Sequence, residues 1–413
     1  MATIKPFRGW RPTKELAGKV AALPYDVMNS EEARVMVQGN EYSFLHVDKA
    51  EIDLPEGTDL YSDAVYAKAR ENLERMMETG VYVREEKPVY YLYQQTMQGR
   101  SQTGLVVCAS VDDYLNNDIK KHELTRADKE EDRVRHVDTC DAHTGPIFLT
   151  YRHRDEIRRA LNVWMEREPY TSFVSEDGIG STVWIIDDDA MIARLTDWFT
   201  AVPALYIADG HHRAASAVRV AKMRREKFPD APENAEFNSF LAVLFPDDEL
   251  HIMDYNRVVK DLNGRTKDAF LQEIGAKFTW EEAGKTAPVP ARHQFGMRLH
   301  KNWYLLTAKP EIIHEEDPVK RLDVSILQEN LLAPVLGIED PRTDKRIDFV
   351  GGIRGVAELE RRTEEEMELA FLLHAVDIGE LMAIADAGLL MPPKSTWFEP
   401  KLKSGLFVHT LGK

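Results

Sequence analysis

The stretch Tyr206-Ile207-Ala208-Asp209-Gly210-His211-His212-Arg213-Ala214 packs an acid, a glycine, two imidazoles and a guanidinium into five consecutive positions. An apolar run precedes them and the small-residue run Ala214-Ala215-Ser216-Ala217-Val218 follows, which predicts a strand turning into a helix at Gly210. The free backbone N–H groups and partial positive charge of a helix N-terminus favour phosphate. Arg213 adds a planar fork of donors suited to phosphate oxygens, and Asp209 would face the phosphate or its metal. An Asp-Gly pair after a strand is also an ordinary turn, and a histidine often serves structure alone. Two half-polar rings side by side at a turn make poor core material, which favours a functional site.

Two further segments carry chemistry. In Met391-Pro392-Pro393-Lys394-Ser395-Thr396-Trp397-Phe398-Glu399-Pro400-Lys401-Leu402-Lys403-Ser404, prolines stiffen a backbone bearing lysines and hydroxyls, which suits phosphate capture. A solvated basic turn is the alternative. In Lys120-Lys121-His122-Glu123-Leu124-Thr125-Arg126, a glutamate lies amid cations that would hold it ionised as a base. The competing reading is a charged helix start exposed to water. Arg126 stands where a zinc-protease helix needs its second histidine, and Thr279 where a P-loop ending at Thr286 needs its first glycine. Cys140 and His143 lack a second pair at zinc spacing, so Cys140 reads as a reduced cysteine in a helix and no metal ligand is assigned.

The elements that must position these residues are mixed. Helices are expected from Asn29 to Gly39 and over 58–79, a strand over 43–47, and a hairpin of 88–97 with 102–111. Strand and helix then alternate from 146 to 245, with a further strand at 303–307, a helix over 323–335 and a strand at 347–350. The fold class is α+β with mixed sheets, divided into an N-terminal region 1–263 and a C-terminal region 264–413 whose terminal loop returns to the active site. The 413 residues carry a formal charge of -17, which opposes an extended surface for a nucleic-acid backbone. No apolar stretch approaches the roughly 20 residues that span a bilayer, and neither a secretory signal nor dense cysteine pairing is visible. A cytoplasmic location, without nucleic-acid or membrane partners, is the expectation.

With Pro24-Tyr25-Asp26-Val27, the Asp-Gly-His-His-Arg box, Asp254-Tyr255-Asn256-Arg257 and Pro393-Lys394-Ser395-Thr396, the chain resembles the bacterial family of domain of unknown function 1015. The His-Glu, Asp-Gly-His-His-Arg and Pro-Lys-Ser-Thr boxes are also similar, in the same order, to those of archaeal free-serine kinases of the ParB and sulfiredoxin superfamily. That resemblance implies a nucleotide-binding core of that type and phosphoryl transfer between ATP or ADP, with Mg2+, and free L-serine, or the reverse from phosphoserine. It implies Glu123 as base, Asp209 and His211 as catalytic partners, Gly210, His212, Arg213, Lys394, Ser395 and Thr396 around phosphates, and His122 and Thr125 near the substrate. A homodimer is also allowed for. The other readings are a nucleotide-binding regulatory module and a phosphatase of a phosphorylated metabolite. Here 86 positions separate Glu123 from Asp209.

Overall fold

The computed structural model describes residues 1–412 and is an α+β structure with mixed and antiparallel sheets. It comprises two compact units, Met1–Leu250 with the segment from Pro400 onward, and His251–Glu399. The break thus falls at Leu250/His251 where the sequence suggested 264. The reason is pairing: Tyr255–Val259 hydrogen-bonds to Ile347–Gly351 and Leu369–Leu373, and Ile252–Met253 to Trp397–Phe398.

The first unit is built on a nine-stranded sheet: β1 (Ile4–Lys5), β2 (Tyr90–Met97), β3 (Arg100–Ser110), β4 (Ile119–Lys120), β5 (Ile147–Tyr151), β6 (Thr171–Val174), β7 (Gly180–Ile186), β8 (Leu205–Asp209) and β9 (Ser239–Pro246). Their order is β4-β8-β5-β9-β3-β2-β7-β6, with β1 on β3. The pairs β4/β8 and β5/β9 are parallel and the others antiparallel. Strands β5 and β9 are buried along their whole length, which explains their largely apolar sequences. The hairpin β2/β3 turns on two residues, Gln98 and Gly99, both with positive φ, a tighter connection than the four residues expected.

Helices follow the sequence signals closely. α1 (Ser30–Met36) begins at a capping box of Asn29 with Glu32, and α2 (Asp63–Glu78), α3 (Ala127–Cys140), α4 (Asp155–Met165), α5 (Asp189–Thr200) and α6 (His211–Lys227) complete the main set. The expected strand over 43–47 is instead a turn of helix, Leu45–Asp48. Phe44, Leu45 and Val47 all enter one core, whereas a strand would send neighbouring side chains to opposite faces. The Ser43 hydroxyl accepts from the Leu45 N–H at 3.3 Å and starts that turn.

The second unit centres on a six-stranded antiparallel sheet, in the order 278–284, 302–308, 294–299, 369–373, 255–259, 347–351. The expected helix over 323–335 is α-helical only through Leu327 and continues as π-helix over Gln328–Leu332. Among the described residues, no helix is long and apolar enough to cross a membrane.

Candidate active site

The site lies where β8 ends. Tyr206 pairs in parallel with Lys120, so the chain leaving β4 runs beside the end of β8 and carries His122 and Glu123 towards Asp209 and Gly210. The backbone then turns at Gly210, φ 90° and ψ 33°, a left-handed conformation that glycine adopts without a Cβ penalty. Gly210 is the N-cap of the 17-residue α6 and supplies no side-chain cap, leaving the N–H groups of the first turn without a side-chain acceptor.

A cluster of imidazoles and carboxylate sits on that turn. His211 Nδ1 lies 3.7 Å from Glu123 Oε2, and His211 Nε2 accepts from the His122 backbone N–H at 3.5 Å. The His122 and His211 rings meet edge to face, centroids 4.4 Å apart. Glu123 is exposed while both histidines are buried. Burial pushes His122 down to about 4, against the opposing pull of Asp209. Burial, with the neighbouring His122, His212 and Lys121, holds His211 well below its ordinary value. Both rings are therefore neutral at pH 7. One donor atom from each of His122, Glu123 and His211 lies within 4.8 Å of the others, a grouping that could hold a metal ion.

Asp209 faces a lysine that sequence reasoning did not choose. Lys401 Nζ donates to Asp209 Oδ2 at 2.8 Å, and Gly210 N–H donates to Oδ1 at 2.8 Å. Burial alone would raise this carboxyl, but Lys401 and the Gly210 N–H outweigh it and hold it below the usual range. The Lys401 backbone is itself anchored, its carbonyl accepting from Gln95 Nε2 at 2.9 Å.

Arg213 is committed within the fold. Its guanidinium donates to Asp48 at 3.1 Å and to the Ser404 hydroxyl at 3.3 Å, and lies 5.0 Å from the Tyr25 ring centre. Arg133 covers the same ring at 4.0 Å. Burial opposes ionisation of Asp48, yet Arg213 overrides it and the carboxyl titrates low. Gly145 provides the room: a Cβ there would lie 2.6 Å from Arg213 Nη1. Asp48, Lys401, Ser404 and Arg133 are thus site neighbours that motif reading missed; only Lys401 and Ser404 lay inside a segment singled out for its cations and hydroxyls.

The remaining expected residues are placed as follows. His122 and Glu123 do not start an exposed helix: α3 begins only at Ala127, and His122 is 2% exposed. His212 Nε2 accepts the Arg126 N–H at 3.0 Å, and Thr125 donates to Glu130 at 2.9 Å, so both brace the 121–126 loop. Lys394, Ser395 and Thr396 belong to the second unit. There the Ser395 hydroxyl donates to the Pro392 carbonyl at 2.6 Å, and the Lys394 carbonyl accepts from Arg257 at 3.0 Å. Cys140 is buried at the end of α3, in a helix as expected.

A model of the family described as protein of unknown function DUF1015 matches residues 4–325, and the chain belongs to that family. No curated protein matches it. Similar solved structures include a free serine kinase variant in complex with AMP, 14% identical over 73% of this chain and 91% of that one, TM-score 0.35. A conserved hypothetical protein from Pyrococcus furiosus is 13% identical over 73% and 93%, TM-score 0.33. SbnI with C-terminal truncation from Staphylococcus aureus is 12% identical over 71% and 82%, TM-score 0.36.

Proposed function

We propose that this chain is a small-molecule phosphotransferase that moves a phosphoryl group between an adenine nucleotide, ATP or ADP, and the hydroxyl of free L-serine, making O-phosphoserine or consuming it. The observation that carries the reading is the meeting of Glu123 with His211, the first residue of α6, at 3.7 Å and across 88 positions of sequence. Phosphoryl transfer asks a protein to align donor and acceptor, neutralise charge on the moving group and receive one proton. Glu123 is an exposed carboxylate placed to take the hydroxyl proton. The uncapped first turn of α6 offers N–H groups to phosphate, and Lys401 adds a cation beside Asp209. Magnesium would travel on the nucleotide phosphates, needing only one or two carboxylate oxygens such as those of Asp209 and Glu123. Asp48 holds Arg213 in place, so its part is to steady this turn and share charge with it.

Purified protein incubated with L-serine, magnesium and either ATP or ADP should yield O-phosphoserine by mass spectrometry. Glu123→Gln should lower turnover by roughly two to four powers of ten while nucleotide affinity stays within a few fold. Absence of phosphoserine with both donors would sink the reading, and free phosphate in its place would point to hydrolysis.

A further inference from the structure

We infer that His122, Glu123 and His211 form a binding site for a divalent first-row transition-metal ion. The donors come from two segments that the β4/β8 pairing brings together, so no sequence spacing reveals them. Their donor atoms lie within 4.8 Å of one another, and side-chain adjustments of about 1 Å would bring them to the ligand spacing that metal bonds near 2.0–2.2 Å require.

An independent observation points at the same spot. His122 Nδ1 is buried and has no hydrogen-bond partner. The other ring nitrogen is engaged by the Ile207 backbone. A carbonyl that takes the Nε2 proton leaves Nδ1 with a lone pair to share, which is how protein-bound metal ions find their imidazoles prepared. A buried nitrogen left without a partner is destabilising, and a cation on that lone pair removes the cost. Two imidazoles and one carboxylate suit zinc, cobalt, iron or nickel and leave coordination positions open to an oxygen of substrate or water, with His211 joining the set by giving up the long 3.5 Å contact that its Nε2 accepts from the His122 N–H. Magnesium, which favours six oxygen ligands, fits this donor set poorly.

The site shares Glu123 with the phosphotransfer reading but does not rest on it, because metal binding is measured without nucleotide or serine. It also bears on that reading: loss of turnover in Glu123→Gln is expected of a base and of a ligand alike, and a metal titration separates the two. The full-length protein, stripped with a chelator, is titrated with Co2+ and its visible absorption recorded, followed by competition with Zn2+ and with millimolar Mg2+. The expected result is one Co2+ per chain, displaced by Zn2+ and not by Mg2+, with at least tenfold weaker binding in Glu123→Ala and in His211→Asn. Glu123 is exposed, so its variant keeps the fold, checked by circular dichroism. No stoichiometric Co2+ uptake by the wild type, or uptake unchanged in Glu123→Ala, would overturn the site.

Discussion

At the scale of single residues, the Asp209–Lys401 pair decides how the end of β8 is charged. Burial drives the Asp209 carboxyl towards its neutral form, while Lys401 and the Gly210 N–H hold it ionised. A carboxyl whose folded pKa is depressed contributes stability above its unfolded pKa, and loses it as pH falls through the folded value. Lys401→Ala should therefore cost up to about 1 kcal/mol at pH 7, since the Asp209 side chain is 41% exposed and water screens the pair, with the loss shrinking below about pH 4, where the unfolded chain also takes up the proton. Urea midpoints of wild type and variant at pH 7 and pH 3.5 test this; an equal loss at both would assign Lys401 a packing role instead. If Asp209 acts in phosphotransfer, the acid limb of turnover should also move to higher pH in the variant. The sequence showed Asp209, Gly210, His211 and the cationic C-terminal loop, because residue type and local order announce them. It could not show which lysine of that loop meets Asp209, since Lys394 and Lys401 have the same local chemistry and the chain's return to the first unit chooses between them. Asp48 left no signal, its neighbours reading as a strand.

At the scale of elements, the strand-to-helix turn and the parallel pair β4/β8 assemble the site. Gly210 holds φ 90° and ψ 33°. Its Cβ position is roomy, the nearest atom lying 3.8 Å away, so the cost of a side chain is conformational. Gly210→Ala should destabilise the protein by about 1–2 kcal/mol, the ordinary penalty for a left-handed L-residue, and, if the proposed phosphotransfer holds, should weaken nucleotide binding by misaiming the first turn of α6. Chemical denaturation and calorimetric titration with ADP measure the two effects; an unchanged midpoint would mean that the turn relaxes freely. Helices such as α1 and α6 and strands such as β9 were legible because caps, small-residue runs and apolar runs are local signals. The pairing of Tyr206 with Lys120 was not, since parallel partners join through long connections that leave no short-range pattern. That pairing places Glu123 at the turn although it stands 86 positions before Asp209 in the sequence.

At the scale of the whole molecule, the chain leaves the first unit after Leu250 and rejoins it from Pro400, so its C-terminal segment belongs to the first unit's core. His409–Thr410 pairs with Ala142–His143, Val408 bridges Trp10, and Ser404 exchanges backbone hydrogen bonds with Ala22. Phe407 is 1% exposed and packs its ring against Tyr91 at 5.0 Å and Tyr93 at 5.7 Å. Removing a buried phenyl group costs its transfer free energy and leaves a cavity, so Phe407→Ala should lose about 3–5 kcal/mol, a large share of an ordinary stability margin. Lys401 and Ser404 lie on the same segment, so loosening it should loosen the contacts to Asp209 and Arg213 as well. Hydrogen exchange should then quicken across 400–412 and at the start of α6, together with a lower urea midpoint. Faster exchange in the tail alone, with the midpoint unchanged, would mean that the segment rests on the first unit without helping to hold its site.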